Sequence, residues 1–245
     1  KYQDLEYPDD CIVDFDMRLI DLFKEIDKKK LTLKMQIRQE YYRVKELLDG
    51  KRPSRMDLFT YMDDEIYRIC VSGSHAKENP FQHYLDFLYE LDELSEDEQK
   101  LYAGIGREFI QTIETTEMQK VYKMPILYSF YNHGNIRLAV TDEEVLESWK
   151  EFFDTGTNWK DFPNVNTYED YKKVTDKQHL SKAKRMPIRY LKASGKGFFV
   201  EKDGYALALR DEIGEVVGNM AFGEQMGDVL GYRSLEYYRR RYEKK

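Results

Sequence analysis

The sequence predicts a mainly α-helical fold with a small β element (α+β), in which a helical N-terminal lobe (1–117) joins a mixed C-terminal lobe (118–245) holding a β-hairpin and a C-terminal helix. Three observations predict it. Apolar residues recur at three-and-four spacing through most of the first half, the period of helices buried on one side. Capping residues stand directly ahead of those stripes. Asp203-Gly204 lies between two short apolar runs, the strongest local hairpin signal in the chain. With 245 residues, 41% of them hydrophobic and 14% aromatic, there is material for one large core or two smaller ones.

Phe15, Leu19, Leu22, Phe23 and Ile26 put a helix over 15–29. Thr32 caps a second, which Met35, Ile37, Tyr41, Val44, Leu47 and Leu48 carry to Gly50, a residue suited to the left-handed turn that ends helices. After Lys51-Arg52-Pro53, Ser54 with Asp57 three positions later opens a third short helix through Met56, Leu58, Phe59 and Tyr61. Three short helices with a basic turn before the last are compatible with a helix-turn-helix, whose final helix would offer its N-terminal residues to a groove while Arg52 and Arg55 reached phosphates. Units of this kind are also common structural filler.

Asn79 caps and Pro80 opens a helix over 79–94, with Phe81, Tyr84, Leu85, Leu88 and Leu91 on one face and His83 capping or edging it. Ser95-Glu96-Asp97-Glu98 restarts a helix that continues through Leu101, Ile105, Phe109, Ile110 and Ile113, closing the first lobe near residue 117. In the second lobe 125–131 reads as helix, His133-Gly134-Asn135 turns, and 136–140 alternates like a strand. Thr141 and Glu144 form a capping box for a helix over 142–153. An ordered loop over 154–166, a polar helix over 167–179 and a brief helix over 187–193 follow. Gly195-Lys196-Gly197 breaks the last of these before a strand at Phe198-Phe199-Val200, and a helix over 235–241 carries Arg239, Arg240 and Arg241 in its final turn.

Few chemistries suit these residues. Cys11 and Cys70 have no third partner, and His75, His83, His133 and His179 show no metal-ligand spacing, so neither a disulfide framework nor a metal centre is expected. Gly195-Lys196-Gly197 lacks the hydroxyl and the upstream glycine of a phosphate-cradling loop. Glu98-Gln99-Lys100 falls in a helix where a magnesium nuclease would need a strand, and no Gly-x-Ser-x-Gly elbow occurs. Asp63-Asp64-Glu65 and Asp142-Glu143-Glu144 are explained as helix starts. No catalytic, cofactor-binding or metal-binding residue is therefore assigned. No run is long and apolar enough to span a bilayer, the first residues do not resemble a secretory signal, and a cytoplasmic protein without a membrane partner is expected.

Charge carries the functional signal. The 39 basic and 46 acidic residues give a net charge of −7, against indiscriminate coating of nucleic acid. The average conceals segregation: 78–98 holds eight acids and no base, whereas 172–196 holds nine bases and only Asp176. Lys182, Lys184, Arg185 and Arg189 surround Pro187 and are followed by Tyr190, Lys196, Phe198 and Phe199, so cations for phosphates stand beside rings for splayed bases, although Phe198 and Phe199 alternate like strand residues and at least one of them is expected in the core. The competing reading is a protein-interaction module without nucleic-acid contact, in which the two charged stretches pair within or between chains and tyrosines form a docking face.

The segments FDMRLIDLF (15–23), EYYRVKELL and RPSRMDLF (within 40–59), FIQTIETTEMQKVYKMPIL (109–127), GFFV (197–200) and YRSLEYYRRRY (232–242) together resemble the C-terminal region of bacterial DEAD/DEAH-box superfamily-two helicases, some of which carry an N-terminal phospholipase-D-like nuclease domain. Where Lys-Asn-Pro is expected in such proteins, this sequence has Arg185-Met186-Pro187. The resemblance implies a non-catalytic accessory region of an ATP-dependent DNA helicase, acting in defence against foreign DNA. It would contact nucleic acid, DNA in particular, or dock the upstream motor domains of the same chain. ATP and magnesium would belong to those motor domains and not to this segment. The opening at Lys1 instead of a methionine fits a segment of something longer. The residues expected to touch the polymer are Lys182, Lys184, Arg185, Arg189 and Lys196, with Arg52 and Arg55 as a second patch.

Overall fold

The computed structural model describes residues 31–243, so the helix expected over 15–29 and Cys11 lie outside the described residues. It is 65% helix and 5% strand, with two small antiparallel sheets, a mainly-α fold with a small β element as the sequence predicts.

Local signals set the N-terminal helices. α1 (Leu33–Leu47) starts where the Thr32 hydroxyl accepts from the Met35 amide and buries Ile37, Tyr41 and Val44. α2 (Arg55–Tyr61) opens on the predicted capping box of Ser54 and Asp57, and α3 (Asp64–Cys70) on the Asp63 carboxylate. The stripe of 79–94 is buried as read, but the single helix is not: a 3₁₀ turn at Pro80–Gln82 gives way at His83 (φ −146°, ψ 46°) to α4 (Tyr84–Glu90). Likewise the long helix expected from Ser95 divides at Gly104 into α5 (Glu96–Ala103) and α6 (Ile105–Thr115). A stripe reports which face is buried. It does not report a change of axis between two segments that bury the same face.

α7 (Lys123–Phe130) leads into β1 (Tyr131–Asn132) and β2 (Asn135–Ile136), paired across His133 and Gly134, both with positive φ as a two-residue hairpin turn requires. β3 (Ala139–Val140) precedes α8 (Asp142–Asp154), which has its predicted capping box at Thr141 and Glu144. The loop after it contains a 3₁₀ turn, Asn158–Asp161. The polar helix read over 167–179 is interrupted at Thr175, which caps a new start: α9 (Tyr168–Lys172) ends and α10 (Asp176–Ala183) begins. α10 then runs through a wide π turn (Lys184–Ile188) into α11 (Arg189–Ser194). Pro187 sits inside that turn, whose extra residue relieves the clash a proline ring makes with an ordinary helical carbonyl. β4 (Phe199–Val200) and β5 (Leu207–Leu209) form the hairpin signalled by Asp203-Gly204, and β3 adds to β5, giving the order β3-β5-β4.

The largest departure is α12 (Met220–Glu243), a 24-residue helix of which the sequence reading holds only 235–241. Glycines at 223 and 227 mask its first half, since glycine disfavours helix interiors. Packing explains them. A Cβ on Gly223 would stand 2.3 Å from the Gly134 carbonyl oxygen, and one on Gly227 would stand 2.6 Å from the Tyr131 hydroxyl, so the helix lies against the β1–β2 hairpin closer than any side chain allows. Helix propensity alone predicts that Gly223→Ala gains about 1 kcal/mol. The clash with backbone predicts the opposite sign, a loss of about 1–3 kcal/mol measured by urea unfolding.

Two hydrophobic clusters result. The smaller gathers Ile37, Tyr41, Val44, Leu58, Phe81, Tyr84 and Leu88 from the N-terminal helices and receives Tyr232 from α12, stacked on Phe81 at 4.7 Å between ring centroids. The larger surrounds Phe109, Phe130, Trp149, Phe153, Phe198 and Phe222. α5 and α6, placed with the first lobe by the sequence reading, send Leu101, Phe109, Ile110 and Ile113 into this larger cluster.

Candidate nucleic-acid interface

Arg52 and Arg55 do not form an outward basic patch. Arg55 is 0% exposed and enclosed by carboxylates: its Nε and guanidinium reach Glu114 Oε1 at 3.0 and 2.5 Å, Asp228 Oδ2 at 2.8 Å and Gln225 Oε1 at 2.7 Å. The ring of Tyr84 covers it at 4.5 Å. Burial works against its charge, but Glu114 and Asp228 outweigh burial and hold the guanidinium protonated. The backbone amides at the start of α2 are also taken, since Asp228 accepts from Arg55 N at 3.0 Å and Met56 N at 3.2 Å. The helix N-terminus that the sequence offered to a groove therefore faces α12, and the expectation that Arg55 reaches a phosphate is corrected. The sequence conceals this because Asp228 lies 173 positions away.

Arg52 remains part-exposed but is engaged, forming a two-point pair with Glu98 (2.7 Å for the second contact) and donating to the Glu93 carbonyl at 3.0 Å. Glu98, 1% exposed, also accepts from Ser95 N at 2.9 Å and Gln225 Nε2 at 2.7 Å. Burial alone would raise its pKa; the Arg52 bond, the Ser95 amide and Gln225 overcome this and hold it below the ordinary 4.5. A carboxylate depressed in the folded state contributes stability that is present above its unfolded pKa and lost as pH falls through the folded one. Stability should therefore fall with acidification below pH 4.5, and Arg52→Met should flatten that dependence in a series of urea titrations.

The basic run takes a different course. Lys184 is tied to Asp142 at 2.6 Å and Lys192 to Glu201. Arg185, Arg189 and Lys196 are exposed and have no ion pair among the described residues, and Tyr190 is 47% exposed with the Arg189 guanidinium 5.6 Å from its ring centre. Lys182 lies 5.3 Å from the centre of the Tyr122 ring. Phe198 and Phe199 are both buried in the larger core and offer no ring to a base.

Tyr190 and Lys196 share a groove of about 530 Å³ with Pro187 and Ser194 on one wall and Thr115, Thr116, Lys120, Tyr122 and Lys123 on the other. Lys123 donates to Thr116 Oγ1 at 2.9 Å and is half-buried. Burial, then the charge of Arg233, lowers its pKa against the opposing pull of Glu117; burial, then Arg185, lowers that of Lys182. Lys120 and Lys123 escaped the sequence reading because they stand singly, outside the charge run; only the fold sets them opposite Tyr190.

The acids of 78–98 do not cover this surface. Among the described residues Glu90 pairs with Lys34, Glu93 with Lys45, Glu98 with Arg52 and Asp86 with Arg107, so the two charged stretches are not each other's partners within the chain. His83 edges α4, its Nδ1 2.7 Å from Gln111 Nε2. Asp63 caps α3, and Asp142, Glu143 and Glu144 form the first turn of α8, as helix starts should. Among the described residues no group of three or more His, Cys, Asp or Glu side chains is placed to hold a metal, and no helix is long and apolar enough to cross a membrane. No protein-family model, curated protein or solved structure matches the chain.

Proposed function

We propose that this region is a non-catalytic accessory part of an ATP-dependent DNA helicase that contacts single-stranded DNA along the groove between α11 and the 115–123 segment. The observation that carries the reading is a cationic surface: Lys196 and the exposed Tyr190 line the groove opposite Lys120 and Lys123, and the exposed Arg185 and Arg189, which have no ion pair among the described residues, stand beside it on the same helical segment. Cations of this kind neutralise phosphates and an open tyrosine ring stacks on a base without demanding a sequence. The parent activity and the choice of DNA rest on the sequence resemblance to helicase C-terminal regions, under which ATP and magnesium would belong to the motor domains.

Fluorescence anisotropy with a labelled oligonucleotide tests it. Binding should weaken steeply between 50 and 200 mM salt, as counterion release requires, and duplex should compete less well than single strand. Undetectable or salt-insensitive binding would sink the reading.

A further inference from the structure

A second cavity, of about 580 Å³, opens on another face, between the end of α7, the β1–β2 hairpin, α8 and α12. Its walls are aromatic: Tyr128 and Tyr131 stand edge to face at 6.4 Å, Phe152 lies 6.2 Å from Tyr128, and Tyr238 closes the α12 side. Its rim is acidic. Glu147 and Glu151, one turn apart on the same face of α8, both line the cavity, are exposed, and have no ion pair or side-chain hydrogen bond among the described residues. The third carboxylate, Glu144, is spent on the Thr141 amide at 2.8 Å and on Arg137 at 3.2 Å. That ion pair also neutralises the one arginine of the lining, leaving two free negative charges over an aromatic floor. The Tyr238 hydroxyl is a buried oxygen with no hydrogen-bond partner among the described residues.

We infer that this cavity binds an organic cation, an ammonium or guanidinium group on an apolar stem. An aromatic ring attracts a cation set over its face, the two carboxylates add charge, and an apolar stem can lie against the rings. A hard metal ion fits poorly, because two carboxylates over rings do not make an oxygen cage. The volume matches small-molecule sites. Two sources share this chemistry, a free polyamine and a lysine or arginine side chain presented by a peptide. The inference is independent of the DNA groove, with which the cavity has no lining residue in common.

Isothermal titration calorimetry on the full chain, at constant ionic strength, tests it with spermidine and with a peptide carrying a single trimethyllysine. Saturable binding of either probe is expected, and the tighter of the two identifies the source. Glu147→Gln with Glu151→Gln, at exposed positions that leave the fold intact, should weaken it roughly tenfold, and Phe152→Leu should weaken it several-fold. Glu65→Gln with Glu169→Gln removes the same charge elsewhere and should leave affinity unchanged. Absence of saturable binding by both probes, or equal weakening in the two charge-matched double variants, would overturn the inference.

Discussion

Replacement of Arg55 by methionine should destabilise the protein by about 3–5 kcal/mol in urea unfolding followed by circular dichroism, the range for removing one partner of a buried ion pair. Methionine fills much of the volume, so the loss comes from charge: Glu114, 2% exposed, and Asp228 would be left without the guanidinium that satisfies both. Pairing Arg55→Met with Glu114→Gln removes the stranded charge as well and should recover at least about 1 kcal/mol, a coupling characteristic of groups in one network. The experiment also separates two roles for this arginine. A phosphate-contacting side chain would lose DNA affinity with little cost to stability; a cost below about 1 kcal/mol would restore that role and undo the structural one.

Charge reversal at Arg185 and Arg189 together should lower affinity for single-stranded DNA about a hundredfold at low salt and reduce the salt slope, because each lost phosphate contact removes one counterion-release step. Lys196→Glu should act in the same direction, reaching the groove from the opposite end of α11. Lys184→Glu should do much less, since its ammonium already neutralises Asp142. That ranking is specific to this geometry; equal effects at Lys184 and Arg185 would mean that the run acts as undifferentiated positive charge. Tyr190→Ala should weaken binding without changing the salt slope, the mark of stacking.

The elements legible in the sequence are those decided within four or five residues. Ser54 with Asp57, Thr141 with Glu144 and the Asp203-Gly204 hairpin formed where read, because a cap or a tight turn is satisfied by its own neighbours. What stayed hidden is non-local. The glycines of α12 look like helix breakers until the hairpin they accommodate is in place, and Arg55 looks like a surface cation until Glu114, Gln225 and Asp228 converge on it from α6 and α12. The candidate site was half legible: the run 182–196 was visible as composition, whereas its opposite wall at Lys120 and Lys123 depends on tertiary contact, and of Phe198 and Phe199, at least one of which is expected in the core, both are there.

α12 donates Gln225, Asp228 and Tyr232 to the N-terminal helices. Synthesis delivers those residues well after the helices they complete. Until they emerge, Arg55 has only part of its shell and Phe81 lacks its stacking partner, so the N-terminal helices stay in a loosened, protease-sensitive state, and their protection should appear abruptly once the middle of α12 has left the ribosome.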